Sequence, residues 1–463
     1  MKSMINGKTL LDWGFEQAPW FKTGIERANA LRTVGKSDTE IKFELTKLIP
    51  EKIPEIPMRT NSIPFSVFLD AETDHEKENL NSVTAHMDAL MRTPTIQAGA
   101  VMPDACPVGS TLGTIPVGGV VACEDAIHPG FHSADICCSM AISIFKRDES
   151  IGVVMDALEK ITHFGKGGRA RSAGLWKNLP VELKDMHENK YLHGLEEYSM
   201  MHFGTQGDGN HFAYVGHLKS TGSLALVTHH GSRGFGAALY KRGMAAAQKH
   251  TKIHAPRTPM HNAWIKADSE DGQAYWEALQ YIETWTRGNH FIIHDLLSKK
   301  LGNRVTDRFF NPHNFVFQKS DGMFYHAKGA TPSYDGYGQY DTGLTLIPMN
   351  MAEPILITKH TNKQDALGFA PHGAGRNMSR TQFLNNHKPE LPKDIDVRFF
   401  CGNIDRSELP EAYKSAATVK AQIAKYGLAN VYDEVLPGGS MMAGEFKNNY
   451  FKKKKVKAEA DVD

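Results

Sequence analysis

Apolar positions along the chain follow two regimes. Between about residues 76 and 240, short apolar runs are broken by glycine, as in VGGVVACEDAI, DICCSMAISIF, FAYVGHL and SLALVTHH. Runs of this kind predict buried strands whose connecting loops carry the polar residues. From Asp268 to Lys300 the period changes: Tyr275, Leu279, Ile282 and Trp285 recur at three- and four-residue spacing. That spacing predicts a helix capped by Asp268 or Ser269, with Gly288 a candidate interruption. Beyond it, HNFVFQ and MFYHA flank Lys319-Ser320-Asp321-Gly322, which predicts a hairpin with an Asp-Gly turn. A further helix is expected from Glu408 to Tyr426.

The two ends read differently. Residues 1–75 start with a helical pattern and finish in the proline-rich run Ile49–Phe65, whose prolines favour extended backbone and mark a connector. The last residues, FKKKKVKAEADVD, form a charge run expected to be a solvated tail. No fixed-period repeat is present. The expected organisation is an N-terminal extension with connector (1–75), one large domain (76–445) and a charged C-terminal tail (446–463).

Composition narrows the class. The 463 residues carry 53 basic and 52 acidic side chains, with 41% hydrophobic and 23% charged positions. These fractions exclude a wholly disordered chain, and the balance argues against a generally polybasic nucleic-acid binder while leaving room for a local basic groove. No window approaches 18 uninterrupted apolar residues, so no transmembrane helix and no membrane partner are expected. The start, MKSMINGKTLLDWGFEQ, has no apolar signal-peptide core and reads as cytoplasmic. The five cysteines (Cys106, Cys123, Cys137, Cys138, Cys401) are odd in number and include an adjacent pair, which suits reduced thiols better than a disulfide framework. The 22 histidines are the unusual count, because imidazole is the commonest metal ligand and titrates near neutrality.

Five segments set His or Cys among Gly, Asn, Ser or Arg: Ser133–Cys138, Gly207–His211, Thr228–Arg233, Asn311–Asn314 and His372–Arg376. Each lies at a strand edge or in a glycine-containing loop, where backbone can approach a ligand closely. A thiolate, a carboxylate and imidazoles gathered from separate segments would make a one- or two-metal site. Any one of these histidines alone reads more simply as a hydrogen-bonded loop or core residue; their joint occurrence favours a functional reading. Ligand softness alone would point to zinc. In His372-Gly373-Ala374-Gly375-Arg376 and Ser379-Arg380, small residues and two arginines suit a phosphate, which the imidazole could bind or attack.

In order, these segments resemble the motifs of the RtcB family of GTP-dependent RNA ligases. The resemblance runs from VMPDACPVGSTLGTIP (Val101–Pro116) to PEAYK (Pro410–Lys414), includes GTQGDGNHF and HGAGRNMSR, and covers residues 76–440. It implies an α+β fold: a single large catalytic domain with buried β-sheets surrounded by helices and a binuclear metal centre in a central cleft. It implies joining of RNA 3′-phosphate or 2′,3′-cyclic phosphate ends to 5′-hydroxyl ends, in RNA repair or tRNA splicing, with GTP and two Mn2+ ions. The nucleophile that takes GMP would be His372. Cys138 would bridge two metals, with His229 and His313 on one and Asp135 and His211 on the other. Nucleotide contacts would come from Asn210, His211, Tyr214, His313, Asn314, Asn350, Met351, Gly373, Ala374, Gly375 and Tyr413. RNA or phosphate contacts would come from Arg233, Lys328, Arg376 and Arg380. The oligomeric state is left open, with a monomer as the working expectation.

The chain also departs from the family pattern. Ala105-Cys106 stands for Val-His, Cys137 and Ser139 for two glycines, and His230 for a serine. Tyr214 occupies the place of a guanine-reading glutamate, Asn350 that of a serine, and Met442 falls where a Lys-Gly pair contacts guanine. Altered nucleotide choice or weakened use of GTP is the expected consequence, because an acidic acceptor for the guanine edge is lost. Three other readings compete. Lys319-Ser320-Asp321-Gly322 fits the Lys-x-Asp-Gly pattern of lysine-adenylating ligases. A binuclear phosphodiesterase would use the same cations with water as nucleophile. A non-catalytic RNA-end-binding protein would have lost guanylylation.

Overall fold

In the computed structural model, which describes residues 4–49, 54–165 and 167–445, capping boxes start several helices. Asn6 and Thr9 exchange bonds at the start of α1 (Gly7–Asp12), and Ser37 and Glu40 do so at α3 (Asp38–Thr46). With α2 (Phe21–Thr33) these helices belong to a compact unit, Met1–Glu55, whose own core is Ile5, Leu10, Phe21, Ala28, Ile41 and Leu45. The charged tail expected at 446–463 lies outside the described residues, as do positions 50–53 of the proline-rich run.

The second unit, Ile56–Asp463, is mixed α+β, as expected. Its larger sheet has eight strands: β5 (Ser139–Phe145), β6 (Phe212–Leu218), β7 (Leu224–His230), β9 (Val305–Pro312), β13 (Leu344–Ile347), β14 (Ile355–Lys359), β16 (Asp396–Phe399) and β17 (Asn430–Met442). The order is β13-β14-β17-β6-β7-β5-β9, with β16 parallel to β17 and the other neighbours antiparallel. Register places Ser139 opposite both His230 and Pro312, and Phe212 opposite His229. Cys138 before β5, His211 before β6, His229 in β7 and His313 after β9 are therefore neighbours at one sheet edge.

A five-stranded sheet runs β1 (Ser66–Val67), β2 (Ile96–Cys106), β3 (Val117–Cys123), β11 (Phe324–Lys328), β10 (Asn314–Gln318). Its β10–β11 pair is the expected hairpin, with Gly322 at φ +80° in the turn. Two small pairs complete the strands: β4 (Ala126–Ile127) with β8 (Ile265–Lys266), and β12 (Ala330–Pro332) with β15 (Phe369–Pro371). The helices of this unit are α4 (Asp74–Leu90), α5 (Pro129–His132), α6 (Ile151–Ile161), α7 (Leu183–Glu188), α8 (Glu196–His202), α9 (Arg233–His254), α10 (Glu270–Leu301), α11 (Arg380–Asn386) and α12 (Ala416–Tyr426). Among the described residues no helix is long and apolar enough to cross a membrane.

Two helical expectations are corrected. The interruption at Gly288 does not occur: α10 runs unbroken from its Ser269 cap to Gly302, and a side chain at Gly288 would meet Pro180 Cγ at 2.3 Å. Gly288 thus serves close packing rather than a break. The helix expected over Glu408–Tyr426 is divided, with 3-10 turns at Arg406–Glu408 and Pro410–Ala412 before α12. Pro410 lacks the amide hydrogen that would continue an α-helix, and Ser415 starts a new one by accepting from Thr418 N.

Helix α10 also explains several of the histidines. His290 Nδ1 and His294 Nε2 lie 2.6 and 2.8 Å from Thr228 Oγ1, His290 Nε2 lies 3.0 Å from Ser139 Oγ, and His294 Nδ1 lies 2.8 Å from Ser143 Oγ. His230 stacks on His290 with ring centroids 3.5 Å apart. Burial holds His294 down at about 3 and His230 and His290 well below the ordinary imidazole range, so this layer is neutral and hydrogen-bonded. It fastens α10 to β5 and β7, the strands whose ends carry Cys138 and His229.

The same helix anchors the core through Trp285, which is fully buried edge-on to Phe203 and Phe235 and donates Nε1–H to the Ser199 carbonyl at 3.2 Å. Trp285→Ala is expected to destabilise the protein by about 3–5 kcal/mol, from the cavity and the unpaired carbonyl together. Urea unfolding measures this, and a loss below about 1 kcal/mol would mean that the helix is held elsewhere.

A candidate metal centre beside a buried imidazole–carboxylate pair

Two groups of donor atoms share Cys138. Cys138, His229 and His313 form one, and Asp135, Cys138 and His211 the other, each with its donor atoms within 4.8 Å of one another. Cys138 Sγ lies 3.2 Å from His229 Nε2 and 3.6 Å from His211 Nε2; His229 Nε2 lies 3.2 Å from His313 Nε2, and His211 Nε2 3.3 Å from Asp135 Oδ2. Metal–ligand bonds of ~2.0–2.3 Å at tetrahedral angles put neighbouring donors about 3.3–3.8 Å apart. The donor set therefore fits two cations with a common sulfur. The Asn210 carbonyl accepts from His229 Nδ1–H at 3.0 Å, which leaves Nε2 aimed at the group.

Electrostatics agree with that fit. Burial holds His229 down at about 3 and His313 well below its ordinary value, so both imidazoles are neutral ligands. Burial and the Asp135 charge push the Cys138 thiol up in the absence of a cation. Asp135 stays ionised at about 2: burial opposes this, but His211, Cys138 and Arg233 outweigh it. His313 Nδ1 is buried without a hydrogen-bond partner among the described residues.

Local backbone is bent to reach this arrangement. Ser133, Cys137 and Arg233 have positive φ, at +65°, +57° and +58°, which side chains other than glycine adopt at a cost of about 1–3 kcal/mol. Cys137 thus keeps a glycine-like conformation where the resemblance expects glycine, held by its amide donating to the Asn314 carbonyl at 2.8 Å. Ser139, at the other expected glycine, donates its hydroxyl within reach of the Cys137 and His230 carbonyls. His230 sits in the α10 layer behind the cluster.

His372 lies on the opposite wall. Its Nδ1 is 2.6 Å from Asp104 Oδ2, its amide donates to the same oxygen at 3.1 Å, and its ring centroid is 4.9 Å from that of His313. Asp104 is fully buried at the end of β2. Lys414, 6% exposed, donates Nζ hydrogens to the Pro103 and Ala105 carbonyls at 3.1 and 2.7 Å, and its amide donates to the Gly375 carbonyl at 3.0 Å. One lysine thereby ties the Asp104 strand to the His372 loop. Gly375, at φ +70°, must be glycine because a Cβ would stand 1.9 Å from the Asp104 carbonyl oxygen.

A cavity of about 350 Å³ joins both walls. Asp135, Cys138, His229 and His313 line it with His372, as do Asn210, Tyr214, Asn314, Asn350, Met351, Gly373, Ala374, Gly375, Tyr413, Lys328 and Arg376. His211, Arg233 and Arg380 do not. His211 stands behind Cys138, and Arg233 Nη1 lies 3.4 Å from His211 Nδ1. Lys328 is nearly buried, and desolvation lowers it to about 8.

Sequence reasoning missed two acids here. Asp104 stands within the VMPDACPVG motif, whose acidic residue was the available signal. Glu408 had no signal; it is 1% exposed and accepts from Arg376 Nη2 at 2.7 Å, Arg380 Nε at 2.9 Å and the Tyr413 hydroxyl. Arg376 lies over the Tyr413 ring at 4.6 Å. At the far end, Tyr214 directs its hydroxyl to the Glu353 and Val435 carbonyls at 3.1 and 3.2 Å, leaving the cavity an aromatic wall among Met349, Met351 and Met442. Lys319 lies elsewhere: its Nζ donates to the Leu367 carbonyl and sits 3.8 and 4.2 Å over the Tyr334 and Tyr325 rings.

Comparison with known proteins gives the family. The family model described as tRNA-splicing ligase RtcB matches residues 155–442, a stretch that includes His211, His229, His313 and His372. The RNA-splicing ligase RtcB of Escherichia coli K12 is 26% identical over 411 residues, covering 81% of this chain and 94% of that protein. The tRNA-splicing ligase RtcB of Thermococcus kodakarensis is 24% identical over 470 residues, covering 84% and 96%. The RNA-splicing ligase RtcB of Mycobacterium tuberculosis is 23% identical over 410 residues, covering 70% and 93%. With more than half its length matched by the family model, this chain belongs to the RtcB family of tRNA-splicing ligases, as a divergent member.

Proposed function

We propose that the protein is an RNA ligase that joins 3′-phosphate or 2′,3′-cyclic phosphate ends to 5′-hydroxyl ends through a GMP adduct on His372, in RNA repair or tRNA splicing. The observation that carries this reading is the 2.6 Å contact between His372 Nδ1 and buried Asp104, in the cavity shared with Cys138, His229 and His313. A proton held on Nδ1 leaves the Nε2 lone pair free for nucleophilic attack. Attack on the α-phosphorus of GTP forms an N–P bond, breaks the bridging P–O bond and releases pyrophosphate. Asp104 offsets the positive charge the ring acquires. GMP then passes to the RNA 3′-phosphate, which a 2′,3′-cyclic end yields once opened by water, and the 5′-hydroxyl oxygen, losing its proton, displaces GMP as the new phosphodiester forms.

Two divalent cations, manganese by the resemblance, would be held by Asp135, Cys138 and His211 on one side and Cys138, His229 and His313 on the other; when bound they supply positive charge against phosphate oxygens. Lys328 and Arg376 supply charged donors inside the cavity, and Arg233 and Arg380 are assigned to the RNA. Glu408 presets Arg376 by fixing its guanidinium beside Tyr413. The base-facing end is apolar around Tyr214, Met351 and Met442, with Asn210 and Asn350 as polar contacts, which favours weak discrimination between GTP and ATP. All five cysteines are unpaired, in keeping with a cytoplasmic setting. A phosphodiesterase using water has no need of the Asp104–His372 pair, and Lys319 is too enclosed by aromatic rings to serve as the adenylated residue.

Incubation with α-labelled GTP or ATP and manganese is expected to label the protein on His372, and subsequent addition of broken RNA ends to yield joined RNA. Labelling that survives His372→Ala, or that maps to Lys319, would refute the assignment. Asp104→Asn should slow adduct formation about 100-fold or more while leaving metal content unchanged. Lys328 is charged below about 8 and neutral above it. kcat/KM for nucleotide should therefore fall as pH rises through that value, and Lys328→Arg should remove the alkaline limb, since guanidinium stays charged. An unchanged limb in the arginine variant would exclude Lys328 as its origin.

A further inference from the structure

Away from the cleft, Asp335, Asp341 and His360 bring donor atoms within 4.8 Å of one another. Asp335 and Asp341 belong to the loop between β12 and β13, and His360 follows β14 directly. The His360 ring is 2% exposed and packs edge-on to Tyr337. Its Nδ1 lies 3.0 Å from Asp335 Oδ1, and Asp335 is held in turn by Asn362 Nδ2 at 3.2 Å. Its Nε2 is buried without a hydrogen-bond partner among the described residues, and Asp341 Oδ1 stands 4.0 Å away, beyond hydrogen-bond reach. Asp341 is itself fixed, with its side chain 12% exposed and its two oxygens accepting from Gly336 N at 2.6 Å and Gly343 N at 2.7 Å.

A proton donated from Nδ1 to Asp335 leaves a lone pair on Nε2. A buried lone pair facing a carboxylate oxygen, with no proton between them, is an unfavourable pairing that a cation relieves. Metal-bound imidazoles characteristically donate their other ring N–H to a carboxylate, the relation Asp335 has to His360. A nitrogen and an oxygen 4.0 Å apart stand a little wider than the about 3.3–3.8 Å of neighbouring tetrahedral ligands, so a side-chain shift of a few tenths of an ångström lets both bind one ion at ~2.0–2.2 Å, and the exposed side of the loop admits water for the remaining positions.

We propose that His360 Nε2 and Asp341, with Asp335 orienting His360, form a site for a divalent first-row cation of zinc, cobalt or manganese type. Bound there, the ion clamps the Asp335–Asp341 loop to the end of β14. That loop leads into β13 and then Pro348–Met351, the segment lining the large cavity, so the ion stiffens one cavity wall from outside. The site stands independently of the ligase reading.

Cobalt is a suitable probe, because thiolate-to-cobalt absorption reports ions held by cysteine and none held by Asp335, Asp341 and His360, while elemental analysis after equilibrium dialysis counts every bound ion. The full-length metal-free chain is expected to bind one cobalt equivalent more than His360→Gln or Asp341→Asn, with the thiolate band equal in all three. The two variants remove different sides of the site, so one that fails to fold leaves the other decisive. Equal cobalt counts in wild type and in a folded variant would overturn the proposal, whatever the state of the Cys138 centre.

Discussion

Antiparallel registration of four strands is the constraint on which the site depends. β5 pairs with both β7 and β9, and β6 pairs with β7, so segments separated by up to 175 positions, Cys138 and His313, end at one sheet edge. A slip of one residue in the pairings of β7 would turn His229 to the opposite face and dissolve the donor group. The layer of His290 and His294 on α10 guards against this, because its hydrogen bonds to Thr228, Ser139 and Ser143 exist only in the observed register.

That arrangement sets the chemistry. A thiol, neutral imidazoles and an ionised carboxylate gathered at a largely buried edge are poorly solvated and held close together. A cation would turn this destabilising arrangement into binding, and the thiol would lose its proton in the process. The opposite wall is organised around one buried acid: Asp104 fixes the His372 ring, and Lys414 fixes the backbone on either side of Asp104. Two separately anchored walls thus face each other across one cavity, which suits a reaction in which phosphate must be bound on one side and attacked from the other.

Much of this was legible in the sequence, for identifiable reasons. Buried strands appear as apolar runs, and the loops at their ends hold the polar residues, so Cys138, His211, His229, His313 and His372 stood out at strand edges or in glycine-containing segments. Motif order then joined segments that spacing alone could not. What remained hidden depends on tertiary contact. Asp104 gains its meaning only from a ring 268 positions away, and Glu408 only from two arginines that fold back on it. Gly288 reads as an interruption until Pro180 is seen against it, and the break before α12 follows from Pro410 and a fresh cap at Ser415. Tyr214 looked like a substituted base reader, and only the structure shows its hydroxyl turned to two backbone carbonyls.

The proposed function requires that Cys138 serve two cations at once. Electron paramagnetic resonance of the metal-free protein reloaded with Mn2+ tests it most directly. The account predicts the multiline spectrum of an exchange-coupled manganese pair, lost in Cys138→Ala. Spectra of magnetically isolated manganese at every loading would contradict it.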